Sequence, residues 1–428
     1  MRVKLHKAVC KAIGFALSLA AAATQALPIY QSDEVILEMN GWVSLEQINT
    51  DGETFLDDGP SRYSFDLTVP DLYGGWTAGV AMEWGLRLTS ARQDIIVSGN
   101  QQASPGETIN SLFLRRGNLF ASHDTWGEFR AGKQWSVYYD VTSKTDDFRV
   151  GGGFGSGTYN FGTDGGPSGT GRADGAISWR KKFPIGANHL QVGLQYAAHT
   201  ADIDIEVENV VEVEGIDRTL LICPAGECEF DNIYGASLTY TLDWYDNLFF
   251  GVAYNHAELV VETRRGKLFD ATDLAEPILI DDRFSFDASR NDEAFAIGIA
   301  YGPSAYQPGF YGAVVWNKSR NHELAPPGST EEVVNLFDAV GSESLFSWGW
   351  DDCHSVYFGH NILESDDDEF EQALVADDEF RLAQYYLGLN YRWNQRVNLF
   401  LENRWDNSNE VAQPISDDFL AVGIRIDI

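Results

Sequence analysis

Between Trp76 and Leu88 the side chains alternate in character, and that pattern restricts the chain more than any other feature. Trp76, Ala78, Val80, Met82, Trp84, Leu86 and Leu88 share one parity; Thr77, Gly79, Glu83, Gly85 and Arg87 share the other, with Ala81 a neutral exception. A period of two belongs to a strand, whereas an amphipathic helix repeats near 3.6. The run is also longer than the five or six residues of a usual globular strand. A tilted strand crossing a bilayer needs about nine to eleven residues, which this run supplies.

The pattern recurs at His189 to Thr200, Ile233 to Leu242, Leu248 to His256, Phe295 to Tyr301, Tyr311 to Val315, Ala383 to Tyr391, Val397 to Leu401 and Leu420 to Ile428. In each the apolar set opposes small or polar residues, as a wall between oil and water requires. Short connections at 71–75, 123–126, 184–188, 243–247, 303–309 and 393–396 take turns with long ones at about 90–110, 136–171, 201–230, 264–290, 320–344 and 363–378. This rhythm predicts an all-β, antiparallel transmembrane barrel of about sixteen strands, with short periplasmic turns and long extracellular loops. The first strand is expected at Val35 to Glu46 and the last at Phe419 to Ile428, and Asp351-Asp352 must turn the chain near 345–363. Soluble sandwiches also alternate, but their strands are shorter. Trp76, Tyr240, Trp244, Tyr245, Tyr301, Tyr391 and Trp393 beside the short turns suit a membrane girdle.

The N-terminus supports export. Arg2, Lys4, Lys7 and Lys11 precede the apolar stretch 12–23, and Thr24-Gln25-Ala26 offers small residues for cleavage. Residues 1–26 therefore read as a secretory signal peptide, and 27–428 as one barrel domain. Formal charge is −34. That excess of acid argues against nucleic acid, which needs a basic footprint. The acids cluster in the long connections, where they solvate a surface or bridge to lipopolysaccharide through divalent cations. Cys223 and Cys228 flank Pro-Ala-Gly-Glu and could close a small disulfide in an oxidising compartment. No residues are arranged as a metal centre, a nucleotide cradle or a nucleophile elbow, so no cofactor and no enzymatic reaction are expected.

From Trp126 to Asp140 the chain reads Trp-Gly-Glu-Phe-Arg-Ala-Gly-Lys-Gln-Trp-Ser-Val-Tyr-Tyr-Asp, followed by Thr-Asp-Asp-Phe at 145–148. This resembles the general, non-specific porins of Gram-negative outer membranes, where a strand ending in Gly-Arg/Lys-Gln enters the third loop. The resemblance extends along the mature chain in strand number and loop rhythm. It implies a passive diffusion channel, a homotrimer, and a third loop folded into the barrel. Members usually finish on an aromatic residue; this chain departs from that by ending at Ile428.

Loop 136–171 is long for a connection and rich in glycine, which lets backbone lie against a wall. Asp140, Asp146, Asp147 and Asp164 would place carboxylates on it, Asp146 and Asp147 foremost. Arg87 and Arg130 have water-facing parity, Arg62 lies on a neighbouring strand, and either Arg115 or Arg116 faces inward. The resemblance implies that loop acids oppose these wall arginines, giving a transverse field that admits small hydrophilic solutes and ions. Excess acid predicts cation preference. Lys133 has lipid-facing parity, where a bare charge costs about 2–4 kcal/mol at mid-membrane, and is expected at a subunit contact. A sugar- or peptide-specific channel and a barrel-anchored adhesin are alternatives on the same scaffold. Aromatic residues along the lumen would favour the former, and Phe249 and Phe400 are the inward-parity candidates.

Overall fold

A computed structural model describes residues 26–428 apart from 51, 90–110, 161–163, 214–215, 244–246, 263–265, 271–277, 285–286, 325–335, 373, 375–378 and 413–415, with backbone alone for 199, 324, 369 and the rest of 201–229 and 261–289. The expected signal peptide therefore lies outside the described residues, save Ala26. So do Trp244, Tyr245 and the side chains of Cys223 and Cys228.

Sixteen antiparallel strands close into a barrel. In chain order they are Ile36–Thr50, Arg62–Tyr73, Trp76–Leu86, Leu112–His123, Gly127–Lys133, Ala176–Ile185, Asn188–Val213 and Ile216–Leu242, followed by Leu248–Glu262, Asp287–Tyr301, Gly309–Leu324, Leu336–Gly349, His354–Ser365, Arg381–Arg392, Val397–Asp406 and Phe419–Asp427. Each pairs with its sequence neighbour, and the ring closes where 42–49 pair with 427–420. Closure removes the exposed strand edges that an open sheet would leave unpaired in lipid. No helix among the described residues is long and apolar enough to cross a membrane. The short strand Leu27–Gln31 folds back on Ile36–Met39.

The alternation faces outward as expected. Leu194 is 49% exposed, Leu238 45%, Leu389 50% and Val422 55%. Their neighbours Gln195, Ser237, Asn390 and Ala421 are covered inside the barrel. Water-avoiding side chains on the outside of a protein make sense when the surroundings are hydrocarbon, since each buried CH2 gains about 0.8 kcal/mol.

Two acidic stretches read as loops are paired instead. Residues 201–213 and 216–230 extend two strands into a hairpin of 26- and 27-residue arms. At about 3.4 Å per residue, such arms run far past a bilayer. Short strands Gly266–Asp270 and Ile278–Phe284 likewise occupy 264–290. Outside the membrane no lipid demands a small or neutral partner for each apolar residue, so these strands can carry an acid at every second position, as in Ile203-Asp204-Ile205-Glu206-Val207-Glu208. The expected turn at Asp351-Asp352 joins Leu336–Gly349 to His354–Ser365.

Candidate functional site

The long connection after Gly127–Lys133 runs from 134 to 175 and returns into the barrel. Its one helical turn, Tyr139–Thr142, buries Val141 with Tyr138 against Ala253, Ala294, Ala296 and Val315 on the inner wall. Tyr139 through Thr145 leads to Asp146 and Asp147, and the chain then crosses to the far side.

Side-chain acceptors on four successive strands hold it there. Glu402 accepts the Arg149 and Gly151 amides at 2.8 Å each and the Val150 amide at 3.3 Å. Its Oε2 also accepts the Tyr357 hydroxyl at 2.6 Å. Gly152 donates to the Tyr386 oxygen, Gly153 to Glu343 at 2.7 Å, and Gly155 to Asn361. At Gly155 a Cβ would collide with the Ser342 carbonyl, so glycine permits the close approach. Further along, His322 bonds the Gly157 carbonyl at 3.1 Å and Asp292 at 2.7 Å. Asn255 and Gln195 then donate to the Ser168 and Gly169 carbonyls. The loop thus lines the wall from strand 176–185 round to strand 397–406.

What stays open lies against the remaining strands. A gap of about 490 Å3 separates Asp146, Asp147 and Arg149 from Arg62, Arg87, Arg115, Arg116 and Arg425. At ~30 Å3 per molecule this admits more than a dozen waters, so it is a wet passage. Glu83 gathers three guanidiniums: Arg115 at 2.9 Å, Arg116 at 2.7 Å and Arg62 at 3.9 Å. Trp42 stacks between Arg62 and Arg425, 4.0 and 3.7 Å from the ring centre. Asp146 accepts the hydroxyls of Tyr139 and Tyr159, each at 2.6 Å. Enclosure by the barrel wall, and then the Asp146 charge, push the Asp147 carboxyl up to about 6, although the side chain stays open to the passage. The described lining holds seven arginines and seven carboxylates, so the passage is dipolar despite the acidic chain.

A sheet closed into sixteen strands with an inward third loop and a charged gap is channel architecture, and the sequence carries a matching signature: the family model described as Gram-negative porin matches residues 12–410. The chain belongs to the Gram-negative porins. It is an outer-membrane diffusion channel and not an enzyme. No curated protein sequence matches this porin. In fold it is similar to OmpF of Salmonella typhi, solved with daunomycin, at TM-score 0.62 and 16% identity, covering 93% of this chain and 99% of that one. The outer membrane channel DcaP of Acinetobacter baumannii follows at TM-score 0.57 and 11% identity, covering 94% and 99%. The trimer form of OmpT from Vibrio cholerae gives 0.51 and 11%, covering 92% and 100%.

The expected site residues of the porin separate into groups. Asp146, Asp147, Arg62, Arg87, Arg115 and Arg116 all line the gap. Both Arg115 and Arg116 reach Glu83, because a register shift at Glu83/Trp84 sets an extra residue into strand Leu112–His123. Asp140 stands apart: it pairs with Arg180 at 2.9 Å and accepts from Ser237, tying the helical turn to the wall. Burial raises the Asp140 carboxyl and Arg180 works against that rise. Asp164 pairs with Arg172 at 2.9 Å inside the loop; despite burial, Arg172 and Lys133 hold it below the usual range. Arg130 bonds Glu128 and Asn118, outside the lining of the gap.

Lys133 departs from its expected lipid-facing position. Its ammonium lies 2.6 Å from Asp174 and 3.2 Å from Asp164. Gly132 adopts φ +120°, where any Cβ would meet the Gly117 carbonyl, and this break in the pleat cancels the parity that assigned Lys133 to lipid. Lys133→Ala is therefore expected to leave the oligomer's resistance to heat and detergent unchanged while increasing open-channel noise. A lowered dissociation temperature would reinstate a subunit contact. Phe249 and Phe400 do point inward, but they pack under Lys144 and among Val150 and Tyr386 and make no track. Reading parity missed Arg425, which faces inward with Gly423 and Asp427. It also missed Arg149, Arg172 and Glu402, whose roles depend on the loop's path.

Proposed function

We propose that this porin passes small hydrophilic solutes and ions without substrate specificity and with a preference for cations. The observation that supports this best is the loop 134–175 held across the lumen, with Asp146 and Asp147 facing an arginine wall over a wet gap. Opposed charges there turn a solute's dipole and disfavour bulky apolar molecules. Because the lining is balanced, the preference comes from the acid surplus of the chain as a whole, which concentrates cations at the mouths. A homotrimer in lipopolysaccharide-bearing membrane fits this reading, since the related Vibrio cholerae protein has a trimer form.

Planar-bilayer recording tests it. Large ohmic steps in groups of three and a potassium-preferring reversal potential are expected; chloride preference would overturn the cation assignment. Replacing both Asp146 and Asp147 by Asn should weaken the preference, and an unaltered reversal potential would remove them from the passage. Asp147 is charged above about pH 6 and neutral below it. Cation preference should therefore decline as pH falls from 7 to 5, and the decline should shrink in the Asp147→Asn variant.

A further inference from the structure

The periplasmic connection 302–308 is built for more than reversing the chain. Two to five residues suffice for a hairpin, and the turns at 74–75, 186–187 and 393–396 are that short. This one has seven, begins at Gly302 with φ +97° and hands over to Gly309 with φ +105°. Between them it folds inward: Ala305 is 7% exposed and packs with Phe249, Tyr311, Leu345 and Tyr357.

Its tip is Tyr306, held at φ +64°. A bulky L residue rarely takes that left-handed conformation, and surroundings must fix it there. The Tyr306 amide donates to Ser347 Oγ at 3.1 Å. Its ring lies edge-on to Tyr357 at 5.2 Å and under the Arg149 guanidinium at 4.1 Å. Its hydroxyl donates to the Asp147 carbonyl. Tyr357 in turn donates to Glu402, the carboxylate holding the amides of 149–151. One turn thus touches Asp147 and Arg149 at the loop tip and reaches the anchor behind them through Tyr357.

We propose that Tyr306 is a positioning residue that props the loop tip from the periplasmic side and so sets the width of the passage. This rests on the reading of loop 134–175 as the constriction. The hydroxyl holds the backbone at Asp147, and the ring fixes where the Arg149 guanidinium stands at the edge of the passage. The strained backbone is the signature: a residue serving only the turn would be glycine, which adopts φ +64° freely.

That freedom supplies the test. Tyr306→Gly removes the prop while easing the backbone, so the barrel folds, checked by unheated electrophoretic mobility. Tyr306→Phe keeps the ring and loses the hydroxyl. Single-channel conductance of the Gly variant should rise roughly 1.5-fold, with more flicker and faster uptake of larger sugars in liposome swelling. The Phe variant should gain flicker with little change in mean conductance. If Tyr306→Gly matches the parent in conductance and size limit while Asp146→Asn with Asp147→Asn still lowers cation preference, the prop is refuted and the constriction stands. If neither variant alters the channel, both readings fall.

Discussion

Replacing Glu402 with Ala is expected to free the tip of the inner loop and enlarge the channel. One carboxylate receives the Arg149, Val150 and Gly151 amides and the Tyr357 hydroxyl. Without it three covered amides lose their acceptor, at about 1–3 kcal/mol for each buried donor left unmet. Water entering the lumen recovers part of this, so a net loss on the order of 3–5 kcal/mol at the tip is expected. The barrel itself should survive, because its ladder does not depend on this side chain. Bilayer recording should show conductance raised about 1.5-fold or more, with long fluctuations. Glu402→Gln, still able to accept with one oxygen, should fall between. Conductance and solute size limit identical to the parent would show that the loop is held some other way.

The second large effect is expected from Glu83→Gln. Among the described residues Glu83 is the carboxylate within ion-pair distance of Arg62, Arg115 and Arg116. Neutralising it leaves the wall with one more net positive charge. A unit charge ~7 Å from a passing ion in water contributes about 0.6 kcal/mol. Cations lose that amount and anions gain it, so the permeability ratio should move toward chloride by roughly sevenfold at low salt. The shift should shrink toward 1 M salt, where the screening length is about 3 Å. At pH 6 Asp147→Asn should do less, since about half of the Asp147 carboxyls are neutral there already. A reversal potential indifferent to Glu83→Gln would mean that the arginine wall lies off the conduction path.

The barrel was legible because lipid and water impose opposite demands on adjacent side chains, and the demand is written into every spanning strand. Trp76 to Leu88, read as a strand from parity, is one, and the strand runs from Trp76 to Leu86. Beyond the bilayer that demand lapses. Residues 201–230, read as loop for their acids, pair as a hairpin. Parity also fails at bulges: it could not choose between Arg115 and Arg116, and the register shift beside Glu83 makes the choice unnecessary. At Lys133 it misled outright, because a glycine with positive φ interrupts the pleat. The loop's anchors were beyond reach for another reason. Glu402 and Arg149 are 253 positions apart, and neither carries a local pattern that names the other. Arg425 was within reach, since its strand alternates without a break from Leu420 to Ile426.

The seam of the barrel runs between its first and last strands, and Trp42 sits on it, with Arg62 from one side and Arg425 from the other. These guanidiniums come from opposite ends of the polypeptide and meet when the cylinder zips shut. Contacts of such sequence separation form late, because the intervening chain must be ordered first. The pairing of Arg425 with this site thus depends on closure, and a half-assembled barrel would lack the electrical character of the completed one. Closing the cylinder and completing its charged lining draw, in this protein, on the same few residues.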